Sequence, residues 1–428
     1  MNAARPPGTA GSAPGWMEPL RLCITRMADY TRTAAQSIAI GWAVVLDRVL
    51  SMLSTLHESI RFWQTLSLTP GVGRAVIRAW ADDPGRPRSL SAVADFVQSH
   101  DPGLAQSLRS PPREVSQSIE ASLRWADADH CHLVTLDDPR YPAALATIAD
   151  PPPVLHLKGQ PLAGSAPIVA VVGSRQASPD GLKWARSLSG ALAEHGVAIA
   201  SGLAAGIDHA AHLGALDAGG ISIAVIGTGV DLCYPARHRP TVDRLVERGA
   251  LISELPLGAP PLTHHFPRRN RIIAGLAAGV LVVQAARRSG SLITARLALE
   301  NGREVLAVPG SVHSPLHRGC HQLIREGACL VENIDDVIAA LPASVGQYPL
   351  NLSPGTGGRV RHDDANDPDS PSESARVVLA QIGWSPADPD DVLEIPNVSP
   401  GDIARLILEL ELGGWIERGP DGRIQRVR

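Results

Sequence analysis

An α/β fold built on a doubly wound, mostly parallel, Rossmann-like sheet is predicted for residues 126–341, and three observations predict it. Short apolar runs at 168–172, 197–200, 222–226, 250–252, 280–283, 305–308 and 329–331 alternate with helical stretches, the rhythm of a parallel sheet covered on both faces. The first helical stretch places Leu182, Ala185, Leu188 and Leu192 on one face, so a helical period directly follows a strand. Most of the runs end in small loops that carry glycine or serine.

Taken in order, the run at 168–172 stops at Gly173-Ser174-Arg175, a helix starts at Pro179, and Gly196 ends it. The run at 197–200 opens into Ser201-Gly202 and a second Gly-rich turn through Gly206-Ile207-Asp208. Later runs end in Gly227-Thr228-Gly229, Ser253-Glu254, the segment from Gln284 to Gly290, and Pro309-Gly310-Ser311. Open α/β sheets bind ligands outside the carboxyl ends of their strands, and backbone amides in such loops approach an anion closely. A phosphate is therefore the expected ligand. A dinucleotide is disfavoured, because no Gly-x-Gly-x-x-Gly follows any strand and the second strand lacks the terminal acid that would hold a ribose. Residues 264–303 carry arginines 268, 269, 271, 287, 288, 296 and 303 against the single acid Glu300, in a chain of net charge −4. That local excess suits a polyanion.

Val172-Gly173-Ser174-Arg175, Ser201 through Asp208, Tyr234-Pro235, Ser253-Glu254-Leu255-Pro256, Phe266 through Gly275, Ser289 through Ala295 and Val308-Pro309-Gly310 closely resemble, in order, the DNA-processing protein A family (DprA, also called Smf). The resemblance spans about two hundred residues. It implies an extended Rossmann-like domain that binds single-stranded DNA, a SAM-like helical domain before it, a homodimer, and a role in loading the RecA recombinase during natural transformation, with no established catalysis. Two positions depart from the family: His321 stands where an Asn is usual, and Gln284 where an acid is usual.

The ends of the chain differ from its centre. Residues 1–54 read as a disordered or mis-annotated extension with Met52 as an alternative start, and the apolar run at 37–46 is too short to span a bilayer. No membrane association is expected. Residues 55–125 read as a small helical domain, whose Leu68-Thr69-Pro70-Gly71-Val72-Gly73 is either an ordinary helix turn, the favoured reading, or a helix–hairpin–helix turn offering amides to a DNA phosphate. Residues 126–167 read as an irregular approach to the first strand. Cysteines 23, 131, 233, 320 and 329 form no Cys-x-x-Cys pair, which fits a reducing, cytoplasmic setting.

Within the central domain the expected DNA contacts are Gly173, Ser174, Arg175, Ser201, Gly202, Phe266, Arg268, Arg269, Asn270, Arg271, Ser289, Gly290 and Ser291. Arg175 leads, because a planar guanidinium at a strand's carboxyl end suits a phosphodiester. The serines and glycines would supply hydroxyl and amide donors that position a strand without reading it. Phe266 would stack an unpaired base or plug the gap between loop and sheet. Asp208-His209-x-x-His212 is read as a helix-start acid with neighbouring histidines, and His313, His317, Cys320, His321 and Cys329 match no common zinc spacing. Neither a metal nor a cofactor is expected.

Residues 342–373 are rich in Pro, Gly, Asp and Ser and read as a linker. Beyond it, helices at 375–382, 389–393 and 399–412 and a hairpin at 415–427 give the order of a winged helix. Its third helix carries Asp402, Glu409 and Glu411 against Arg405, so the module is expected to bind protein, or DNA weakly through wing arginines 423, 426 and 428. The leading function is a single-stranded DNA-binding recombination mediator, with no enzymatic activity. The alternative is an enzyme, because the sheet and the loop at 287–300 also resemble the lysine-decarboxylase-like nucleotide phosphoribohydrolases; this chain lacks their two leading glycines and correctly spaced acid. A winged-helix regulator of transcription is disfavoured by the acidic third helix.

Overall fold

The central sheet is laid down by strands β3 (Ile168–Val172), β4 (Ala198–Ser201), β5 (Ser222–Val225), β6 (Ala250–Ser253), β7 (Gly279–Val282), β8 (Glu304–Ala307) and β9 (Cys329–Leu330), all parallel. Two further strands, β1 (Cys131–Thr135) and β2 (Val154–Gly159), complete the order β1-β2-β6-β5-β4-β3-β7-β8-β9. The computed structural model describes residues 56–83, 85–161, 166–342, 372–382, 388–389, 400–419 and 422–427. The extension at 1–54 and most of the linker at 342–373 lie outside them.

Residues 126–167 are not the irregular approach that the sequence suggested. β1 and β2 pair antiparallel with each other, and β2 pairs antiparallel with β6, so the sheet is mixed and extends past its parallel part. The two-residue period explains it. Leu155 and Leu157 of β2 join the main core, whereas Val154 joins the core of the helical domain and His156 hydrogen-bonds to that domain. One short strand thereby closes two cores.

β3 is central because Val169 to Val172 are all apolar and buried on both faces. Val169 and Val171 pack under helices α7 (Pro179–Glu194) and α8 (Ile207–Asp217), and Ala170 and Val172 pack under α10 (His265–Leu276) and α11 (Ser291–Glu300). From β3 the chain winds outward through β4, β5 and β6 on one side and resumes at β7 on the other. The crevice between the carboxyl ends of β3 and β7 is therefore the topological switch point, where such sheets take ligands.

The helices that cover the first face approach closely. A Cβ on Gly214 of α8 would lie 2.0 Å from the Arg186 carbonyl of α7, so only glycine permits this contact. It lets α7 and α8 lie against each other at close range.

The helical domain comprises α1 (residues 56–68), α2 (Arg74–Ala81), α3 (Leu90–Val97), α4 (Pro102–Arg109) and α5 (Arg113–Ala126), around Trp63, Leu66, Val93 and Leu108. Its turn at Thr69–Gly73 is folded by a Val72 N–H bond to Thr69 O. The helix that follows reaches the sheet domain, where Arg78 donates to the Ile148 carbonyl at 3.0 Å. At the other end, α14 (Glu373–Gln381), α15 (Pro400–Leu412) and the hairpin of β10 (Ile416–Arg418) and β11 (Ile424–Arg426) share a core of Val378, Ile403, Leu406, Leu410, Ile416 and Ile424. This is the winged-helix order; the helix expected at 389–393 falls almost wholly outside the described residues. Two acids of the third helix are engaged within the module, Glu409 accepting from the Ser372 N–H and Glu411 from Arg418.

Two consequences can be measured. Gly214→Leu is expected to lower the unfolding free energy obtained from urea denaturation by about 1–3 kcal/mol or more, as overpacking does. Burial pushes His156 down to about 4 and His212 to about 3. Each therefore stays neutral in the fold while the unfolded chain protonates, so stability is full above about pH 6.5 and falls as pH drops towards 4. The slope should approach about 1.4 kcal/mol per pH unit for each histidine, and His156→Gln should remove its share while leaving that of His212. A pH-independent midpoint over that window would contradict the burial of both rings.

Candidate nucleic-acid interface

The loops after β3 and β7 are stitched to each other across the switch point. The Ser174 N–H donates to the Gln284 carbonyl at 2.7 Å, and the Ile207 N–H, at the start of α8, donates to the Ser174 carbonyl at 3.1 Å. Gly206 makes this possible: its φ is +84°, and a Cβ there would lie 2.2 Å from Ser174 O and 2.9 Å from Arg175. With its backbone held on two sides, Arg175 projects its exposed side chain from a fixed base.

The Arg175 guanidinium lies over the Phe266 ring, 5.5 Å from its centroid, within cation–π range. Phe266 in turn rests on Gly227 at the end of β5, where an added Cβ would meet the ring at 3.0 Å. The ring of Tyr234 stands 5.8 Å away, tilted by 42° and about half exposed. Phe266 thus both fills the gap above Gly227 and belongs to a stack with Arg175. Tyr234 is the residue that sequence reasoning missed; the Tyr-Pro pair in a chain with few aromatics was the available signal.

Several residues expected at the interface work behind it instead. Ser201 is fully buried and its hydroxyl donates to the Val171 carbonyl at 2.6 Å, so it offers nothing to a ligand. Gly202 is buried too, its N–H donating to Asp208 Oδ2 at 3.2 Å, and a Cβ on it would sit 2.3 Å from the Arg269 guanidinium. Gly173 is glycine for the same kind of reason, since a Cβ would meet Ile207 at 2.6 Å.

Arg269 and Arg271 correct the expectation that the arginine cluster faces the ligand as a group. Arg269 is buried, donates to the Val225 carbonyl, and lies against Asp208. Burial lowers it to about 10 while Asp208 counteracts, so it remains charged at neutral pH. Burial raises Asp208, with Arg269 and the Gly202 and Ala204 amides opposing. Arg271 is buried as well, in a fork on Glu254 at 3.0 and 2.7 Å with Asp150 at 3.1 Å. Burial would lower its pKa, but the two carboxylates outweigh that and raise it. A helix places successive side chains about 100° apart, so of three near-consecutive arginines only Arg268 faces water. Its side chain is 60% exposed, 3.4 Å from Glu254.

Across the crevice, Ser289 and Ser291 exchange a 2.6 Å hydrogen bond, Gly290 faces open space, and Asn270 reaches the Gly290 carbonyl at 3.5 Å. The amides at the amino end of α11 are already engaged, Ser291 N–H donating to the Ser289 hydroxyl at 3.4 Å, Leu292 N–H to the Ser289 carbonyl at 3.2 Å and Ile293 N–H to the Gly290 carbonyl at 3.1 Å, so this loop turns hydroxyls more than amides towards the crevice. The structure therefore brings Ser174, Arg175, Phe266, Asn270, Ser289 and Gly290 to one rim, sets Arg268 beside it, and withdraws Ser201, Gly202, Arg269 and Arg271 into its support.

The family profile described as DNA recombination-mediator protein A matches residues 132–342, and the profile of the DprA winged helix domain matches 362–422. Protein Smf of Escherichia coli (strain K12) is 42% identical over 327 residues, covering 76% of this chain and 84% of that protein. The chain belongs to the DprA/Smf family of DNA recombination mediators. DNA processing protein DprA of Streptococcus pneumoniae is 50% identical over 204 residues, or 48% of this chain and 72% of that one. The X-ray structure of S. pneumoniae DprA aligns with a TM-score of 0.59 at 37% identity, covering 67% of this chain and 98% of that one.

Both departures from the DprA/Smf pattern have local accounts. Gln284 accepts the Ser178 N–H at 3.0 Å and donates to the Ser178 hydroxyl at 2.8 Å, a two-way exchange that an ionised acid cannot make. His321 pairs with the Gly310 carbonyl at 3.0 Å. Cys320 beside it is buried, which pushes its thiol up to about 11, and among the described residues no group of three His, Cys, Asp or Glu side chains could hold a metal ion.

The division of labour among the arginines is testable by stability. Arg271→Met should cost about 3–5 kcal/mol, the penalty for orphaning buried carboxylates, while Arg268→Ala should stay within about 0.5 kcal/mol of wild type. Equal losses in urea denaturation would contradict the assignment.

Proposed function

We propose that this chain is a single-stranded DNA-binding recombination mediator, which shields an incoming strand and helps to load the RecA recombinase on it during natural transformation. The observation that carries the reading is Arg175: an exposed guanidinium, anchored at the switch point and stacked on Phe266, with a row of glycine and serine loops beside it. A guanidinium binds phosphate oxygens in a planar fork, and the Phe266 and Tyr234 rings offer faces to unpaired bases, which a duplex keeps stacked within itself. Membership of the DprA/Smf family supports the same role. No helix among the described residues is long and apolar enough to cross a membrane, and a cytoplasmic homodimer that sets two rims side by side completes the proposal.

The hydrolase alternative finds less support at the rim. Asp208 is buried and committed to the Gly202 amide and Arg269, His209 bonds to Thr241 at 2.9 Å and His212 to Ser222 at 2.7 Å. These groups serve the loops' geometry. Release of free base from nucleoside monophosphates by the purified protein would favour the enzyme.

Titration of labelled single-stranded and duplex oligonucleotides at two salt concentrations tests the main reading. Wild type should prefer the single strand and weaken steeply with salt, because each neutralised phosphate releases counterion. Arg175→Ala should lose roughly 1.5–3 kcal/mol, the range for a hydrogen bond to a charged group. Identical affinities for wild type and variant would remove Arg175 from the interface.

A further inference from the structure

Arg175 borders a second concavity besides the Phe266 shelf. Between α7 and α8 lies an open cleft of about 540 Å³, large enough for a ligand rather than a packing fault. Its floor is apolar, including Leu182, Ala210 and Leu213, and its rim adds Lys183, Arg186 and Arg237 to Arg175, with no Asp or Glu among the lining residues.

The charges on this rim are unequal. Arg186 donates to Asp217 at 3.0 Å but shares that one carboxylate with Arg244 at 2.8 Å, so it is only partly compensated. Lys183 donates to the Val427 carbonyl at 3.1 Å, a neutral acceptor that leaves its charge standing. Arg175 and Arg237 are exposed, and among the described residues neither forms an ion pair. His209, also lining the cleft, stacks flat on His238 at 3.9 Å.

We infer that the cleft between α7 and α8 is a continuation of the nucleic-acid track, in which the strand leaving the Phe266 shelf passes Arg175 and lays further phosphates against Lys183 and Arg237. Charge complementarity and continuity carry this: one arginine borders both concavities, and the cations without a carboxylate partner come from three separate segments around one open cleft, an arrangement that offers successive phosphates separate partners. The apolar floor suits sugar and base faces. The inference rests on the functional reading above and adds residues to it that neither the sequence motifs nor the primary rim contain.

Oligothymidylates of about 6 and about 16 nucleotides, spanning the usual site sizes for unpaired strands, separate the two ideas. Wild type should bind both, the longer more tightly. The Lys183→Ala/Arg237→Ala double variant should bind the short strand as wild type does and the long strand on the order of tenfold more weakly, with a salt slope lower by about 1.4, two phosphates' worth. Long-strand binding unchanged in the variant, or the same loss at both lengths, would overturn the inference while leaving the primary rim intact. Displacement of the long strand's extra affinity by free thymidine monophosphate would also overturn it, making the cleft a mononucleotide pocket. Failure of wild type to bind either strand would sink the functional reading itself, and the inference with it.

Discussion

A buried arginine is what the rim depends on. Arg269 extends from α10 through the core to the ends of β4 and β5, where it meets the Val225 carbonyl and lies against Asp208, whose carboxylate holds the Gly202 amide. Burying a cation is expensive unless its partners are in place, so this charge tolerates only one relative position of α10, β4 and the start of α8. Phe266 and Arg268 sit on the first turns of the same helix. The internal pairing therefore fixes where the external aromatic and cation stand, and the exposed residues inherit their geometry from one they never let the solvent see.

The glycines around the crevice serve the same end by a different route. Gly202 makes room for the Arg269 guanidinium, Gly206 lets α8 close on the Arg175 loop, and Gly173 lets that loop lie against Ile207. Each is required by neighbours inside the protein. A glycine-rich rim is commonly read as room for a ligand's phosphate, but here only Gly290 faces open space. Rigidity of the loops, more than free amides, is what these residues supply, and a rigid base is what allows a single exposed arginine to be placed without a large loss of conformational freedom on binding.

Arginine chemistry divides accordingly. Those that find carboxylates within the protein, such as Arg271 on Glu254 and Asp150, hold α10 to the rest of the domain. Others without such partners among the described residues, Arg175 and Arg237 among them, are left to the surface. A chain with more acids than bases overall can present a cationic track because its acids are spent on internal pairs near it and are absent from the lining of the α7/α8 cleft.

The alternation of apolar runs with helical periods was enough to give the parallel part of the sheet and the winged helix, because those features follow from local periodicity, whereas the switch point between β3 and β7 follows from the strand order that only folding decides. The alternation did not reveal β1 and β2, since a strand with one face in each of two cores shows a pattern, Leu155 and Leu157 against His156, that has no meaning until both partners are known. At the rim, motif and position were legible for Arg175, Phe266 and Ser289, which end strands or open helices. Which of Arg268, Arg269 and Arg271 faces water was not, because side chains on a helix part company by rotation, and only the docking of α10 against β4, β5 and the Asp150 loop determines which guanidinium is drawn inside. Tyr234 joined the stack for the same reason: its nearness to Phe266 spans a gap in sequence that folding alone closes.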